Sequence, residues 1–240
     1  MNAVSYSLYG TGEVYLRGLM ENLRRLPVIY PGWQALVFTD GAAGGPYLDR
    51  CEELGACVLL RPPRDDSGGM FWRFEAAGDP RWDAVIVRDA DSVVGAREQV
   101  AVATWLARPE GIHMMTDSEH HLGRPVLGGM WGVKRGAWKM DFPHLVRWWL
   151  RNKGPFGYDD DQWFLNRFVW PYAMRDGLRQ AWNVRTRLGG EPFPCHAAEE
   201  RHVGQRWTVG ELPEWTDEMR RCGPEARQEG GRSGDWGGRE

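Results

Sequence analysis

The sequence lacks the features that would place it in several common protein classes. Its 240 residues have a net charge of −3, so the basic excess typical of nucleic-acid-binding proteins is missing. It contains no run of about 18 apolar residues and no charged-then-apolar leader, which argues against a membrane span and a secretory signal. We therefore expect a cytoplasmic protein with no nucleic-acid partner.

Cysteine is scarce and forms no C-x-x-C pair. The four cysteines are Cys51, Cys57, Cys195 and Cys222. This spacing favours free thiols in a reducing compartment over a disulfide framework or a zinc site. Tryptophan, in contrast, occurs 14 times, often within polar stretches. Such rings either pack in a core or stack on sugar faces, and composition leaves both interpretations open.

Apolar runs alternate with helical spacing through the first 88 residues. We predict strands at Ala3–Gly10, Trp33–Asp40, Cys57–Pro62 and Asp83–Arg88, with helices at 13–26, 47–56 and 70–77. This alternation predicts an α/β fold with a mostly parallel sheet flanked by helices. Ligands bind such sheets at the carboxyl ends of the strands, so the polar strand ends are expected to form one site.

The second half has a different pattern. We predict a strand at Gly111–Asp117, tight backbone passages in the glycine-rich stretch Arg124–Trp138, and helices at 145–152 and 159–171, the latter ended by Pro171. We expect one domain over residues 1–222, with a nucleotide-binding half (1–95) and a half for acceptor and donor sugar (96–222). The tail 223–240 is nearly devoid of apolar residues and is expected to be disordered.

Two carboxylates, Asp89 and Asp91, follow the fourth strand in the stretch "VIVRDADS". Such a triplet arises about once by chance in a chain this rich in aspartate, so its context decides its meaning. In an extended segment both side chains point to one side, as a hard-oxygen site for Mg²⁺ or Mn²⁺ requires. The alternative is that they cap the helix predicted at Glu98–Ala107 or form a turn.

A second acidic run, "YDDDQWFL", also permits two interpretations. Asp159 and Gln162 have the spacing of a helix capping box. The same carboxylates and amide, placed at a helix start, suit hydrogen bonds to sugar hydroxyls. Both interpretations stand together.

Several motifs in this order resemble the GT-A glycosyltransferases, the nucleotide-diphospho-sugar transferase superfamily, and especially a group of bacterial and viral GT-A-like proteins. They are "SYSLYG" (Ser5–Gly10), "IYPGW" (Ile29–Trp33), "GMFWRF" (Gly69–Phe74), "RDADS" (Arg88–Ser92), "LGGMWG" (Leu127–Gly132), "DQWFL" (Asp161–Leu165), "PFP" (Pro192–Pro194) and "HVGQ" (His202–Gln205). The resemblance implies a GT-A-like fold. It also implies metal-dependent transfer of a sugar from a UDP- or GDP-sugar to a glycan, small-molecule or protein acceptor, with Mn²⁺ or Mg²⁺ as cofactor.

The resemblance also implies roles for individual residues. The residues expected at the nucleotide and donor are Tyr9, Gly10, Asp40, Arg73, Arg88, Asp89, Asp91, Gly128, Gly129 and Trp131. Asp161 and Gln162 are expected to contact the transferred sugar. Asp89 and Asp91 are the expected metal ligands. The motif "DQWFL" is similar to one in the retaining branch of these enzymes. It implies that the transferred sugar keeps its configuration.

Relatives often have a late histidine as third metal ligand, and the corresponding stretch here, "QAWNVRTRLGGE", has none. His202 and His196 are the available substitutes, and we favour His202. His120 and His121 are interpreted as part of a solvated loop, as acceptor contacts or as a lid near the site. Asp117 is a candidate general base if the reaction inverts the sugar configuration.

Two other functions compete with transfer. A GT-A relative that has lost turnover would still bind carbohydrate or nucleotide, and the missing histidine favours it. A phosphatase with an aspartyl nucleophile is the third hypothesis. It is the weakest, because such enzymes place the triplet after their first strand.

Overall fold

The computed structural model of the chain describes residues 1–121, 123–181, 189–194 and 202–206, with the side chain of His120 left out. The predictions for Cys195, Cys222, His196 and the tail 223–240 lie outside these residues. Cys51 and Cys57 carry free thiols. In the described ranges no helix has both the length and the apolar character needed to cross a bilayer.

One sheet runs through both halves of the chain. Its strands are β1 (Ala3–Leu8), β2 (Gln34–Thr39), β3 (Ala56–Leu60), β4 (Ala84–Arg88), β5 (Ile112–Thr116), β6 (Met130–Lys134), β7 (Gly177–Ala181) and β8 (Glu191–Pro192). Their order is β3-β2-β1-β4-β6-β5-β7-β8. β6 is antiparallel to both of its neighbours, and the other pairings among these eight strands are parallel. The predicted α/β, mostly parallel fold is confirmed.

Helices cover both faces of this sheet. They are α1 (Glu13–Ile29), α2 (Gly45–Glu53), α3 (Ala96–Leu106), α4 (Phe142–Asn152), α5 (Asp160–Phe168) and α6 (Trp170–Asp176), with 3-10 segments at Ser67–Ala76 and Glu119–His121. Alternating residues of β4 point to opposite faces of the sheet, and each face has its own hydrophobic core. Val85 and Val87 belong to an aromatic core with Phe74 and Phe164, whereas Ile86 packs in a second core that includes Leu23 of α1.

The stretch predicted as helical at 70–77 falls, up to Ala76, within a buried 3-10 helix over Ser67–Ala76, so it is helical but more tightly wound than an α-helix. Two other local predictions were wrong. Pro171 does not end the second-half helix, because it lies in the first turn of α6, where its missing N–H has no helical partner to lose. The glycine-rich stretch contains strand β6, which the sequence pattern did not indicate.

The topology brings the polar strand ends to one edge. β1, β2, β4 and β5 all run in the same direction, so their carboxyl ends share this edge. β6 runs the other way and pairs its first residue, Met130, with Arg88 at the end of β4. The loop before β6 therefore lies beside the two carboxylates that follow β4.

Candidate active site

The turn after β4 is held in place by helix α1. Asn22 donates from Nδ2 to the Ser92 carbonyl (3.1 Å) and accepts at Oδ1 from the amide of Val94 (2.9 Å). One turn earlier on the same helix face, Gly18 lies against the backbone of Ala90, and a Cβ at Gly18 would overlap the Ala90 carbonyl oxygen. Contacts from α1 thus fix the backbone that presents Asp89 and Asp91.

Arg73 joins two carboxylates from different elements. Its guanidinium contacts Oδ1 of Asp89 through Nη1 and Oδ2 of Asp161 through Nη2, the latter over 3.0 Å. The backbone of Arg73 is tied to β1, because Ser7 Oγ accepts from its amide (2.9 Å) and Ser5 Oγ donates to its carbonyl (2.7 Å). Burial raises the pKa of Asp161, and Arg73 opposes that rise. The predicted sites of the two halves therefore meet at Arg73.

The loop Gly128–Gly129 passes directly over these carboxylates. A Cβ at Gly128 would overlap Oδ2 of Asp161, and one at Gly129 would overlap Oδ2 of Asp89. The Gln162 amide spans the Val126 carbonyl and the Gly128 amide, at 2.8 and 3.0 Å in the orientation that pairs donor with acceptor. Gln162 therefore positions the loop that the resemblance assigned to the donor.

Asp40, Tyr9 and Gly10 lie at the ends of β2 and β1. Oδ2 of Asp40 accepts from the Gly10 amide (3.1 Å), and Oδ1 accepts from the Ala42 amide (2.9 Å). Tyr9 is partly exposed and meets the ring of Trp72 edge-on, with centroids 6.1 Å apart. These residues line the same edge as Asp89, as the strand ends predicted.

Arg88 does not face the site, which corrects the prediction that it contacts the donor. Its side chain is 0% exposed and forms an ion pair with Glu98 (3.0 Å), which accepts from Tyr30 Oη (3.0 Å). Arg88 also donates to the Gly129 carbonyl (2.7 Å) and to Ser92 Oγ (2.9 Å). It acts as a positioning residue, because it ties the turn after β4 to the glycine loop.

The side chain of Trp131 is likewise unable to contact a donor. It is fully buried in the aromatic core, with its ring 5.8 Å from Phe74 and 6.1 Å from both Trp138 and Phe142. Trp131 points to that core because β6 alternates its side chains between the two faces. The predicted donor contact for Trp131 is therefore wrong for its side chain.

Asp91 faces a cation from the distant segment 202–206. The Nε of Arg206 lies 3.3 Å from Oδ2 of Asp91, and the backbone of Arg206 forms an antiparallel bridge with Ser92. Burial and the neighbouring Asp89 carboxylate raise the pKa of Asp91, and Arg206 lowers it. Two adjacent carboxylates that repel one another provide a place for a cation.

Asp117 is held in a closed ion pair. Arg97 donates to both of its oxygens, over 2.6 and 2.7 Å, and the Val203 amide donates to Oδ2 over 2.9 Å. Its side chain is fully buried. A general base needs a free lone pair facing the substrate, so this geometry does not support the base role predicted for Asp117.

The predicted metal trio is not assembled. Within the described residues, no three His, Cys, Asp or Glu side chains lie close enough to hold a metal ion. The ring of His202 meets that of His121 instead, with centroids 5.0 Å apart. Asp89 and Asp91 remain as candidates, because carboxylate oxygens are the ligands that Mg²⁺ and Mn²⁺ prefer and such ions take further ligands from water and phosphate.

The capping box predicted for α5 does not form. Asp159 takes a left-handed conformation with φ of 72°, and its carboxylate pairs with Arg124 over 3.1 Å instead of capping the helix. Gln162 contacts the loop before β6 rather than the helix start. The other interpretation of this acidic run placed carboxylates of the helix start at the site. Asp161 fits it, because its carboxylate faces the site from the first turn of α5.

Sequence reasoning missed the residues that support the site from a distance. Gly18 and Asn22 had a signal, since a glycine and an asparagine four residues apart share one face of a helix and neither favours a helix interior. Glu98, Arg97 and Arg206 had none, because a charged residue in a polar stretch looks the same whether it is paired or solvated.

No protein-family model and no curated protein sequence matches the chain. Solved structures resemble it at a distance. A glucosyl-3-phosphoglycerate synthase from Mycobacterium tuberculosis, in complex with Mn²⁺ and UDP-glucose, is 16% identical with a TM-score of 0.40, and the match covers 57% of each chain. A 4-diphosphocytidyl-2C-methyl-D-erythritol synthase from Anaerococcus prevotii is 12% identical with a TM-score of 0.45, over 75% of this chain and 86% of that one.

A third similar structure is S. aureus TarS in complex with UDP-GlcNAc. It is 15% identical with a TM-score of 0.37, over 49% of this chain and 34% of TarS. The chain thus spans 57% of the synthase and about a third of TarS. Likenesses this distant assign neither a family nor an activity to the chain.

Proposed function

We propose that the chain is a metal-dependent glycosyltransferase of the GT-A type, which moves a sugar from a nucleotide-diphosphate sugar to an acceptor. The observation that carries this proposal is the placement of Asp89 and Asp91 at the carboxyl edge of a parallel sheet, beside the Arg73–Asp161 pair. Ligands bind parallel sheets at this edge. The motifs that resemble the GT-A enzymes supply the chemistry.

The residues take distinct roles in this proposal. Asp89 and Asp91 would hold Mn²⁺ or Mg²⁺, and phosphate oxygens of a UDP- or GDP-sugar would complete the ligand set. The ion would neutralise charge on the departing nucleoside diphosphate. Tyr9 and Asp40 would lie along the nucleotide, and Asp161 beside the transferred sugar.

We propose retention of the sugar configuration. The closed Arg97–Asp117 pair supports this choice, because it removes the candidate base for an inverting reaction. In a retaining transfer the acceptor hydroxyl gives its proton to the departing phosphate. A cytoplasmic location remains part of the proposal, and the free thiols of Cys51 and Cys57 support it.

A melting-temperature screen tests the proposal. UDP, GDP and their sugars are added with and without Mn²⁺. A ligand at a hundredfold excess over its Kd raises the melting temperature by roughly 5 to 10 °C, because it binds the folded state. We expect such a shift with one nucleotide diphosphate and only when Mn²⁺ is present. No shift with any nucleotide would refute the proposal.

The second candidate is a GT-A-like protein that binds nucleotide or carbohydrate without turnover. The pairing of Asp89 with Arg73 and of Asp91 with Arg206 favours it, since each metal-binding carboxylate already has a counter-charge. Release of free sugar from the donor separates the two candidates. Donor binding without any hydrolysis or transfer, across metals, would favour the binding protein.

A further inference from the structure

The segment 202–206 places Arg206 at Asp91 through its backbone. The Val203 amide donates to Asp117 (2.9 Å), Gly204 packs against the sulfur of Met130, and Arg206 bridges Ser92. These anchors are independent of the Arg206 side chain. The approach of its guanidinium to Asp91 therefore follows from how the segment is docked.

The two arginines at the site differ in how firmly they are held. Arg73 is buried and divides its guanidinium between Asp89 and Asp161. Arg206 has a side chain that is 65% exposed, and its guanidinium approaches Asp91 at 3.3 Å and the Tyr15 ring at 5.9 Å. The Asp91 side chain is 17% exposed, whereas most of the Arg206 side chain lies in solvent. Solvent screens the pair on the arginine side, so the guanidinium can turn from Asp91 to another partner.

We propose that Arg206 exchanges partners during donor binding: it neutralises Asp91 in the donor-free site and turns to a phosphate oxygen of the donor when a divalent cation binds Asp91. This inference rests on the proposed function. A cation at Asp91 competes with Arg206 for Oδ2 and repels its charge. The diphosphate then offers oxygens that match the fork of a guanidinium.

Arg206→Gln separates the two halves of the exchange. Mn²⁺ alone is titrated by calorimetry, and then UDP and GDP are titrated in saturating Mn²⁺. We expect Mn²⁺ to bind roughly threefold more tightly, because its competitor is gone. We expect the nucleotide to bind roughly tenfold more weakly, because a charge-assisted hydrogen bond is lost. A merely structural role would weaken both.

Two variants serve as controls. Arg135→Gln removes a similarly exposed arginine that pairs with Asp83 just before β4, at the opposite edge of the sheet, and should change neither affinity. Arg206→Lys keeps the charge but loses the fork, so Mn²⁺ affinity should stay near that of the wild type while nucleotide affinity falls partway.

The outcomes are distinct. Opposite changes in Mn²⁺ and nucleotide affinity in Arg206→Gln support the exchange. Unchanged affinities, or weakening of both, overturn the exchange and leave the proposed function standing if the wild type binds nucleotide with Mn²⁺. Absence of Mn²⁺-dependent nucleotide binding in the wild type overturns the proposed function and the exchange with it.

Discussion

Arg73 donates through Nη2 to Oδ2 of Asp161 over 3.0 Å, within a side-chain pair that is almost fully buried. Its other terminal nitrogen contacts Asp89. The guanidinium thus connects the turn after β4 with the start of α5, two elements far apart in the chain. Because the buried Asp161 carboxylate is paired with Arg73, we expect substitution of Arg73 to lower the stability of the fold.

Arg73→Met should destabilise the fold by about 3 to 5 kcal/mol, because it leaves the buried Asp161 carboxylate without its cation. Urea unfolding at pH 7 measures the loss. Adding Asp161→Asn to Arg73→Met should recover part of it, since the unpaired charge is then removed. Equal stability of the single and double variants would contradict the pairing.

Asp91→Asn should abolish Mn²⁺-dependent nucleotide binding while the fold stays intact. The reason is that Asp91 follows a strand end, and its carboxylate repels Asp89 rather than supporting the core. Calorimetry with UDP or GDP and Mn²⁺ measures the binding. Asp83→Asn, at the other end of β4, is the matched control and should bind as the wild type does. Wild-type binding by Asp91→Asn would show that the site is misassigned.

Gly18→Ala should destabilise the protein although alanine is the better helix former. Alanine normally gains about 1 kcal/mol over glycine within a helix. At Gly18 the new Cβ would meet the Ala90 carbonyl, so the helix or the turn must shift, with a net loss of about 1 to 3 kcal/mol. Thermal unfolding measures it.

The matched control is Gly45→Ala in α2, where the space around the new Cβ is open. This substitution should leave stability unchanged or raise it slightly. A gain in stability at both positions would mean that α1 does not pack closely against the backbone of Ala90 in the turn after β4.

Stability should fall as the pH drops below about 6.5, because His113 must stay neutral in the fold. Burial lowers the pKa of His113 to about 4, while Gln180 hydrogen-bonds its Nε2 (2.8 Å). In the unfolded chain this histidine gains a proton near pH 6.5. The part of the free energy of unfolding that depends on neutral His113 is therefore complete above pH 6.5 and is lost between pH 6.5 and about pH 4.

This loss should reach about 1.4 kcal/mol per pH unit at most. Urea unfolding at half-unit steps from pH 7.5 to 4.5, a range chosen to span roughly the two pKa values, measures it. The variant His113→Gln should be less stable at pH 7 but should have a flatter profile. An unchanged slope in that variant would assign the pH dependence to other groups.

The polar strand ends show how far the sequence reaches. Apolar runs bounded by turn residues identified β1, β2 and β4, and parallel pairing then requires that their carboxyl ends share an edge. The sequence alone therefore places Asp89 and Asp40 on one edge of the sheet. The roles of Arg88 and Trp131 could not be predicted, because one residue along a strand separates the site from the core.

The sequence by itself determined the α/β class, the strand that presents Asp89 and Asp91, and the edge of the sheet where they lie, because these depend on local periodicity. Only the tertiary structure decided the partners of those carboxylates. Arg73 reaches Asp161, 88 residues away, and Arg206 reaches Asp91 across the sheet edge. Ion pairs of this kind have no local pattern, since the fold alone brings the charges within reach of one another.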